Sequence, residues 1–166
     1  MQVQVPLSSP DIDEKDIQGV VNVLKSRFLS IGPKIVEFEK KMADYMGRKY
    51  AVAVNSGTSA LHLIIRSLGI GEGDLVITTP FSFIASSNCL LFEKAVPVFV
   101  DIEPDTLNLD PEKVESKIRS MKKEEISKLK ALLVVDVFSH PVRWDRFKEM
   151  ADKLAEFSGF KKEMRQ

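Results

Sequence analysis

The chain has 166 residues, enough for one domain with its own hydrophobic core, and 44% hydrophobic with 29% charged residues is typical of a globular protein. Its 24 basic and 24 acidic side chains give a formal net charge of +0, so charge provides no argument for binding nucleic acid or an anionic membrane. A single cysteine, Cys89, excludes an internal disulfide, and two histidines are too few for a zinc site.

The N-terminal sequence has no basic segment followed by an apolar core, and no apolar run approaches the length of a membrane span. We therefore expect no signal peptide and no membrane association. A cytoplasmic location is the expected default.

Proline breakers predict an extended arm over residues 1–12. An amphipathic helix is predicted next over Glu14–Lys25, with Asp11 or Asp13 as its cap. A second helix is predicted over Pro33–Gly47, because proline favours the first turn and glycine the end of a helix.

From Tyr50 onward, predicted strands alternate with predicted helices, which indicates a mostly parallel sheet covered by helices on both faces. The predicted strands are Tyr50–Val54, Leu75–Thr78, Val96–Val100 and Leu132–Val137. The predicted helices are Thr58–Leu68, Phe83–Phe92, one from the cap Asp110-Pro111 to about Met121, and Trp144–Phe157. The charged stretch Lys122–Lys130 is predicted to be a solvated helix end and loop. We expect an α/β domain over residues 13–150 and a divergent charged tail over residues 151–166.

The segment Asn55–Ser59 places small polar residues between a predicted strand and a predicted helix. Backbone amides at a helix N-terminus lack partners and carry partial positive charge. Gly57 lets the backbone approach an anion closely, while Thr58 and Ser59 add hydroxyl donors, so the segment predicts a phosphate-binding loop. Ordinary helix capping is the alternative on the local pattern alone. The segment is not a nucleotide P-loop, because no Gly-Lys-Ser/Thr sequence follows it.

Other residues that could carry chemistry are assigned structural roles. The glycines of Gly69–Gly73 follow a predicted helix and precede a predicted strand, which reverses the order of a dinucleotide-binding fingerprint, so a turn is predicted. His62 is predicted to be a packed or surface histidine, and Cys89 an inert core residue. Asp136 ends an apolar strand, where its carboxylate either points into a site or serves the fold.

A set of segments resembles the DegT/DnrJ/StrS sugar aminotransferases in order and spacing, and together they cover residues 1 to about 150. The segments are Pro6–Pro10, Leu24–Pro33, Glu37–Glu39, Asn55–Leu63, Gly69–Asp74, Thr79–Ser86, Pro97–Asp101 and the strand leading to His140-Pro141. One departure is Arg27, where the family usually has glycine.

The resemblance implies part of the large domain of a fold-type-I enzyme that uses pyridoxal 5'-phosphate (PLP). Such an enzyme moves an amino group from an amino acid to a keto sugar, usually a nucleotide-linked one. The resemblance further implies that Gly57, Thr58 and Ser59 hold the cofactor phosphate and that Phe83 stacks on the pyridine ring. Without the resemblance, Phe83 would be assigned to the core with its apolar neighbours.

The resemblance also implies that Phe28, Gly32 and Pro33 line the substrate mouth, close to the partner subunit of a homodimer. The sequence alone would predict a turn between helices at this position. The expected partners are a nucleotide sugar and an amino-acid donor, with no metal and no nucleic acid.

The lysine that forms the Schiff base with PLP belongs to the family's sequence beyond the matched segments, as does the acidic partner of the pyridine nitrogen. No lysine of this chain has matching surroundings, and the similarity weakens after Ala151. We therefore expect an N-terminal portion of the enzyme that is inactive alone, produced by early termination, a shifted frame or a split gene. The alternatives are a non-catalytic PLP- or phosphate-binding or regulatory module, and one half of a split enzyme.

Overall fold

A computed structural model describes residues 8–157 of the chain, which divides into two units, Met1–Ala53 and Val54–Gln166. The first unit contains α1 (Glu14–Leu24) and α2 (Pro33–Tyr45). The second contains, in chain order, α3 (Gly57–Ser67), β1 (Leu75–Thr78), α4 (Ala85–Phe92), β2 (Val96–Phe99), α5 (Pro111–Ser120), α6 (Lys123–Lys128), β3 (Leu129–Leu132), a 3-10 turn (Val137–Ser139) and α7 (Trp144–Phe157). Most of the predicted arm and the last nine residues of the predicted tail lie outside the described residues.

Both helices predicted in the first unit are confirmed, and each begins for a local reason. The Asp13 carboxylate accepts hydrogen bonds from the amides of Lys15 at 2.8 Å and Asp16 at 3.0 Å. The Asp16 carboxylate returns the bond to the Asp13 amide at 3.0 Å, which completes a capping box. Pro33 opens α2, and Gly47 follows its end with a φ of +62°. Asp13 is therefore the cap, and Asp11 is not.

The apolar faces of these two helices are exposed in the structure. Ile17, Val20 and Leu24 on α1 and Phe38 on α2 are all exposed large hydrophobic side chains. Ala43 is the buried residue of α2, and α1 has none. The apolar periodicity thus predicts correctly where the helices form, but it does not show whether their apolar faces are buried.

The strand predicted over Tyr50–Val54 is wrong. No strand forms there, and among residues 8–157 no other strand pairs with this segment. The Ala53 amide instead donates to a carboxylate oxygen of Glu39 on α2 at 2.8 Å. An alternating apolar run becomes a strand only where a neighbour supplies the ladder of hydrogen bonds, and the sequence contains no information about that neighbour.

Two lysines on α2 lower the pKa of Glu37 from 4.5 to about 2 by hydrogen bonding and charge. The amines of Lys34 and Lys41 each lie 2.7 Å from its carboxylate. Because the folded pKa is below the unfolded one, the ionised carboxylate stabilises the fold above about pH 4.5, and this contribution is lost as the pH falls toward about 2.

An NMR titration should find that Lys34→Gln raises the pKa of Glu37. An unchanged midpoint in this variant would contradict the assignment.

The second unit is built on three parallel strands in the order β2-β1-β3. Val76 of β1 packs into a buried cluster with Ile65 of α3 and Leu90 of α4. The next residue, Ile77, packs into a second cluster with Val114 of α5 and Phe147 of α7. Because successive side chains of a strand point to opposite faces, helices cover both faces of β1. The predicted α/β class with a mostly parallel sheet is confirmed.

The last strand lies earlier than predicted. It spans Leu129–Leu132 rather than Leu132–Val137, and one further backbone bond, from the Leu133 amide to the Ile77 carbonyl at 2.8 Å, continues the pairing. A short helix, Lys123–Lys128, occupies the stretch predicted as a helix end and loop. The apolar run marks a buried segment, but it has no alternation to indicate where pairing begins and ends.

Candidate functional site

Helix α3 begins at the predicted phosphate-binding loop. Its N-cap residue is Ser56, in an extended conformation with φ −163° and ψ 158°. The Ser56 hydroxyl oxygen accepts a hydrogen bond from the Ser59 amide at 3.1 Å. Capping of the helix therefore uses the Ser59 amide and leaves the two preceding amides of the first turn for another acceptor.

The amides of Gly57 and Thr58 have no acceptor within the helix, because the first turn has no preceding carbonyl in register. Within residues 8–157, neither amide has a hydrogen-bond partner, and the same holds for the Thr58 hydroxyl. Gly57 is exposed, and a Cβ built on it would meet no atom within 4 Å. Gly57 thus borders open space, and the unpartnered amide and hydroxyl of Thr58 follow it in the chain. These three donors have the chemistry that a phosphate group requires.

Ser59 plays a different part from Thr58. Its hydroxyl donates to Asn55 Oδ1 at 2.7 Å and accepts from the Ser56 hydroxyl at 3.0 Å. The Ser59 side chain therefore fixes the shape of the loop, with Thr58 as the side chain whose hydroxyl is free to donate. Asn55 thus shapes the loop, and asparagine beside serine and glycine is a common turn signal.

The charge at this helix end is favourable for an anion. The first turn of α3 contains no acidic side chain, and Arg66 lies in its last turn. The partial positive charge of the helix N-terminus is therefore not offset by a carboxylate of the same turn.

Phe83 lies in the loop between β1 and α4, at the carboxyl end of the central strand. Its side chain is 76% exposed, so Phe83 is not a core residue, contrary to the assignment that its apolar neighbours suggest. Its carbonyl accepts from the Ser86 amide at 3.0 Å, and the hydroxyls of Ser82 and Ser86 are 2.8 Å apart. The start of α4 thus presents an aromatic ring to solvent at the edge where α/β sheets bind ligands.

The connection between α3 and β1 indicates that the two candidate segments lie toward the same edge of the sheet. A short turn, Leu68–Asp74, joins the end of α3 to the start of β1, and both α3 and α4 pack with β1 in one cluster. A helix that leads through a short turn into a strand of the same packed cluster commonly runs opposite to that strand. We therefore expect the first turn of α3 to be directed toward the carboxyl end of β1, which the Phe83 loop follows.

Three other residues considered from the sequence have structural partners. His62 Nε2 lies 2.6 Å from a carboxylate oxygen of Glu93 and joins α3 to the end of α4. Cys89 is fully buried, and desolvation raises the pKa of its thiol, which suits an inert core position. Asp136 Oδ1 accepts from the Val142 amide at 2.9 Å, so this carboxylate serves the fold.

The residues predicted to line a substrate mouth form a turn between α1 and α2. Phe28 is exposed, and Pro33 is the first residue of α2. A Cβ on Gly32 would lie 3.0 Å from the Cβ of Phe28 and 3.2 Å from its carbonyl oxygen, so the turn needs glycine there. Ile31 has a φ of +45°, which is strained for a β-branched residue. The substrate role of these residues stays a prediction.

Metal-ligating clusters and membrane-spanning helices are both absent from residues 8–157. They contain no group of three or more His, Cys, Asp or Glu side chains placed to hold a metal ion. No helix in the same range is long and apolar enough to cross a membrane.

Comparison with known proteins identifies relatives among the aminotransferases. The model of the DegT/DnrJ/EryC1/StrS aminotransferase family matches residues 10–155. The spore coat polysaccharide biosynthesis protein SpsC of Bacillus subtilis is 47% identical over 114 residues, which are 69% of this chain and 29% of SpsC. The UDP-2-acetamido-2-deoxy-3-oxo-D-glucuronate aminotransferase of Pseudomonas aeruginosa is 34% identical over 142 residues, 86% of this chain and 38% of that enzyme.

Solved structures agree with the sequence relatives. Spr1654 of Streptococcus pneumoniae, described as a sugar aminotransferase in its PLP form, superposes with a TM-score of 0.83 and 32% identity, over 97% of this chain and 39% of that one. The chain thus spans less than two-fifths of the length of these relatives. Spr1654 is described both in its PLP form and in the form with pyridoxamine phosphate (PMP). The expected cofactor is therefore confirmed for this relative. The match over residues 10–155 and the shared fold show that the chain belongs to the DegT/DnrJ/EryC1/StrS aminotransferase family.

Proposed function

We propose that the protein is the PLP-binding, N-terminal part of an aminotransferase that acts on a nucleotide-linked keto sugar. The observation that carries this proposal is the start of α3, where the Gly57 and Thr58 amides and the Thr58 hydroxyl have no partners among the described residues and Gly57 borders open space. Membership in a family of sugar aminotransferases makes the PLP phosphate the natural acceptor for these donors.

Different residues would contact different parts of the cofactor. The Gly57 and Thr58 amides and the Thr58 hydroxyl would bind the phosphate, while Ser59 keeps the loop in shape through Asn55. The exposed ring of Phe83 would stack on the pyridine ring and limit its contact with water. When bound, PLP supplies the electron sink on which amino-group transfer depends.

The substrate class is proposed from the relatives. The name of the Pseudomonas aeruginosa relative specifies a UDP-linked keto sugar, and we extend a nucleotide-linked keto sugar and an amino-acid donor to this chain. We also propose that the turn containing Phe28, Gly32 and Pro33 lines the substrate mouth, that the full-length enzyme is a homodimer and that it is cytoplasmic. The exposed ring of Phe28 is compatible with a contact surface.

We further propose that these 166 residues are inactive in the absence of other sequence, because none of their lysines has the surroundings of the family's Schiff-base lysine. A phosphate site without that lysine equally suits a non-catalytic binding or regulatory module. It also suits one half of a split enzyme whose second chain supplies the lysine.

Titration of the chain with PLP, followed by absorbance and by borohydride treatment, tests this proposal. We expect saturable, reversible binding, no covalent cofactor after borohydride, and no amino transfer from an amino acid to a UDP-linked keto sugar. Absence of PLP binding would contradict the cofactor assignment. Turnover by the chain alone would contradict the proposed inactivity and leave the cofactor site in place.

A further inference from the structure

The turn after β3 contains two consecutive residues in a backbone conformation that is unusual for non-glycine residues. Phe138 has φ +52° and ψ +33°, and Ser139 has φ +62°. Left-handed backbone is unfavourable for a residue with a Cβ, and aspartate, asparagine or glycine is the usual choice. The Phe138 ring is also 82% exposed, so packing in the core does not explain an aromatic residue there.

A buried asparagine holds this turn from both sides. Asn108, which is 1% exposed, accepts from the Val137 amide at 2.9 Å through its side-chain oxygen. Its side-chain nitrogen donates to the His140 carbonyl at 2.9 Å. Both polar atoms of this buried amide are therefore satisfied, and the strained pair between Val137 and His140 is fixed by the surrounding structure.

The fixed ring contacts the loop that carries Phe83. The rings of Phe138 and Phe81 are 6.5 Å apart between centroids at an angle of 73°, an edge-to-face arrangement. Phe81 lies two residues before Phe83, and its amide donates to the Thr79 hydroxyl at 3.0 Å. Contacts therefore run from Asn108 through Phe138 and Phe81 to the backbone that presents the Phe83 ring.

We propose that Phe138, held by Asn108, is a positioning residue that orders the loop of residues 79–84 and so orients Phe83. This inference rests on the proposed function, because the Phe83 ring is the one assigned to the cofactor. An exposed ring on a short loop adopts several orientations, and a contact that selects one of them before binding improves affinity for a planar group. On this proposal, the strained backbone at Phe138 serves to place its ring beside Phe81.

Phe138→Asn separates this role from a purely structural one. Asparagine tolerates left-handed backbone better than phenylalanine, so the variant should keep the fold while it removes the ring. We expect the amides of residues 81–86 to exchange hydrogen about three- to tenfold faster, and PLP to bind about three- to tenfold more weakly, from the loss of one aromatic pair. Phe138→Tyr should restore both values, and Phe92→Asn, which removes an exposed ring at the other end of α4, should change neither.

Hydrogen exchange decides this inference without the cofactor. Unchanged exchange at residues 81–86 in Phe138→Asn would overturn it, as would a Tyr variant that behaves like Asn. If the unmodified chain does not bind PLP, the proposed function falls, and the exchange data still show whether Phe138 orders the loop. Faster exchange and weaker PLP binding in Phe138→Asn, both restored in Phe138→Tyr, would support the positioning role.

Discussion

Gly57→Asp should weaken PLP binding at least about 100-fold while leaving the fold as stable as before. The added side chain meets no atom within 4 Å, and a carboxylate in the first turn of a helix is favoured by the helix dipole. The same carboxylate would lie beside the cofactor phosphate. Two like charges about 4 Å apart at an effective dielectric of about 20 repel each other by about 4 kcal/mol, which exceeds a hundredfold in affinity. Absorbance titration with PLP and thermal unfolding would measure the two effects.

Two controls separate charge from volume and from the substitution itself. Gly57→Ala adds a Cβ without charge and should weaken PLP binding far less than Gly57→Asp. Gly19→Asp makes the same substitution on α1, where a Cβ also meets no atom within 4 Å, and should leave binding unchanged. If the Gly57→Asp variant bound PLP with wild-type affinity, this result would contradict the assignment of the phosphate to the start of α3.

Ile77→Ala should cost about 3–5 kcal/mol of stability, because it opens a cavity at the centre of the second unit. Ile77 is fully buried on β1, and its cluster includes Val114 of α5 and Phe147 of α7. Urea denaturation followed by circular dichroism would measure the loss. Ile64→Ala is the matched control, since Ile64 on α3 is 47% exposed and should cost under about 1 kcal/mol. Equal costs for the two variants would contradict the described core.

Several helices could be predicted because they contain their own start signals. Asp13, Pro33 and the pair Asp110-Pro111 begin helices in the structure as the sequence indicates. Capping and proline placement are local chemistry that depends on a few neighbouring residues. Burial is harder to predict, since Ile64 is a large apolar residue of α3 and is nevertheless 47% exposed.

The strands were less predictable because pairing depends on distant segments. Leu75–Thr78 and Val96–Phe99 form as a parallel pair, whereas Tyr50–Val54 is just as apolar and forms no strand. The sequence does not predict a strand that starts at Leu129, because Lys130 ends a charged stretch that is typical of a solvated loop. In the structure, the Lys130 amine donates to the Ser127 carbonyl at 2.8 Å.

The candidate site was only partly visible in the sequence. The resemblance singles out Gly57, Thr58, Ser59 and Phe83, but it does not distinguish Ser59, whose hydroxyl is already engaged, from Thr58. The strained Phe138 could not be predicted, because no glycine or asparagine marks its left-handed backbone.

The central claim is that the first turn of α3 holds the cofactor phosphate, and an NMR titration of the ¹⁵N-labelled chain tests it most directly. We predict that PLP and inorganic phosphate shift the amide signals of Gly57, Thr58 and Ser59 most strongly, while pyridoxal without its phosphate leaves them nearly unchanged. Equal shifts with pyridoxal, or phosphate-dependent shifts confined to other residues, would contradict the claim.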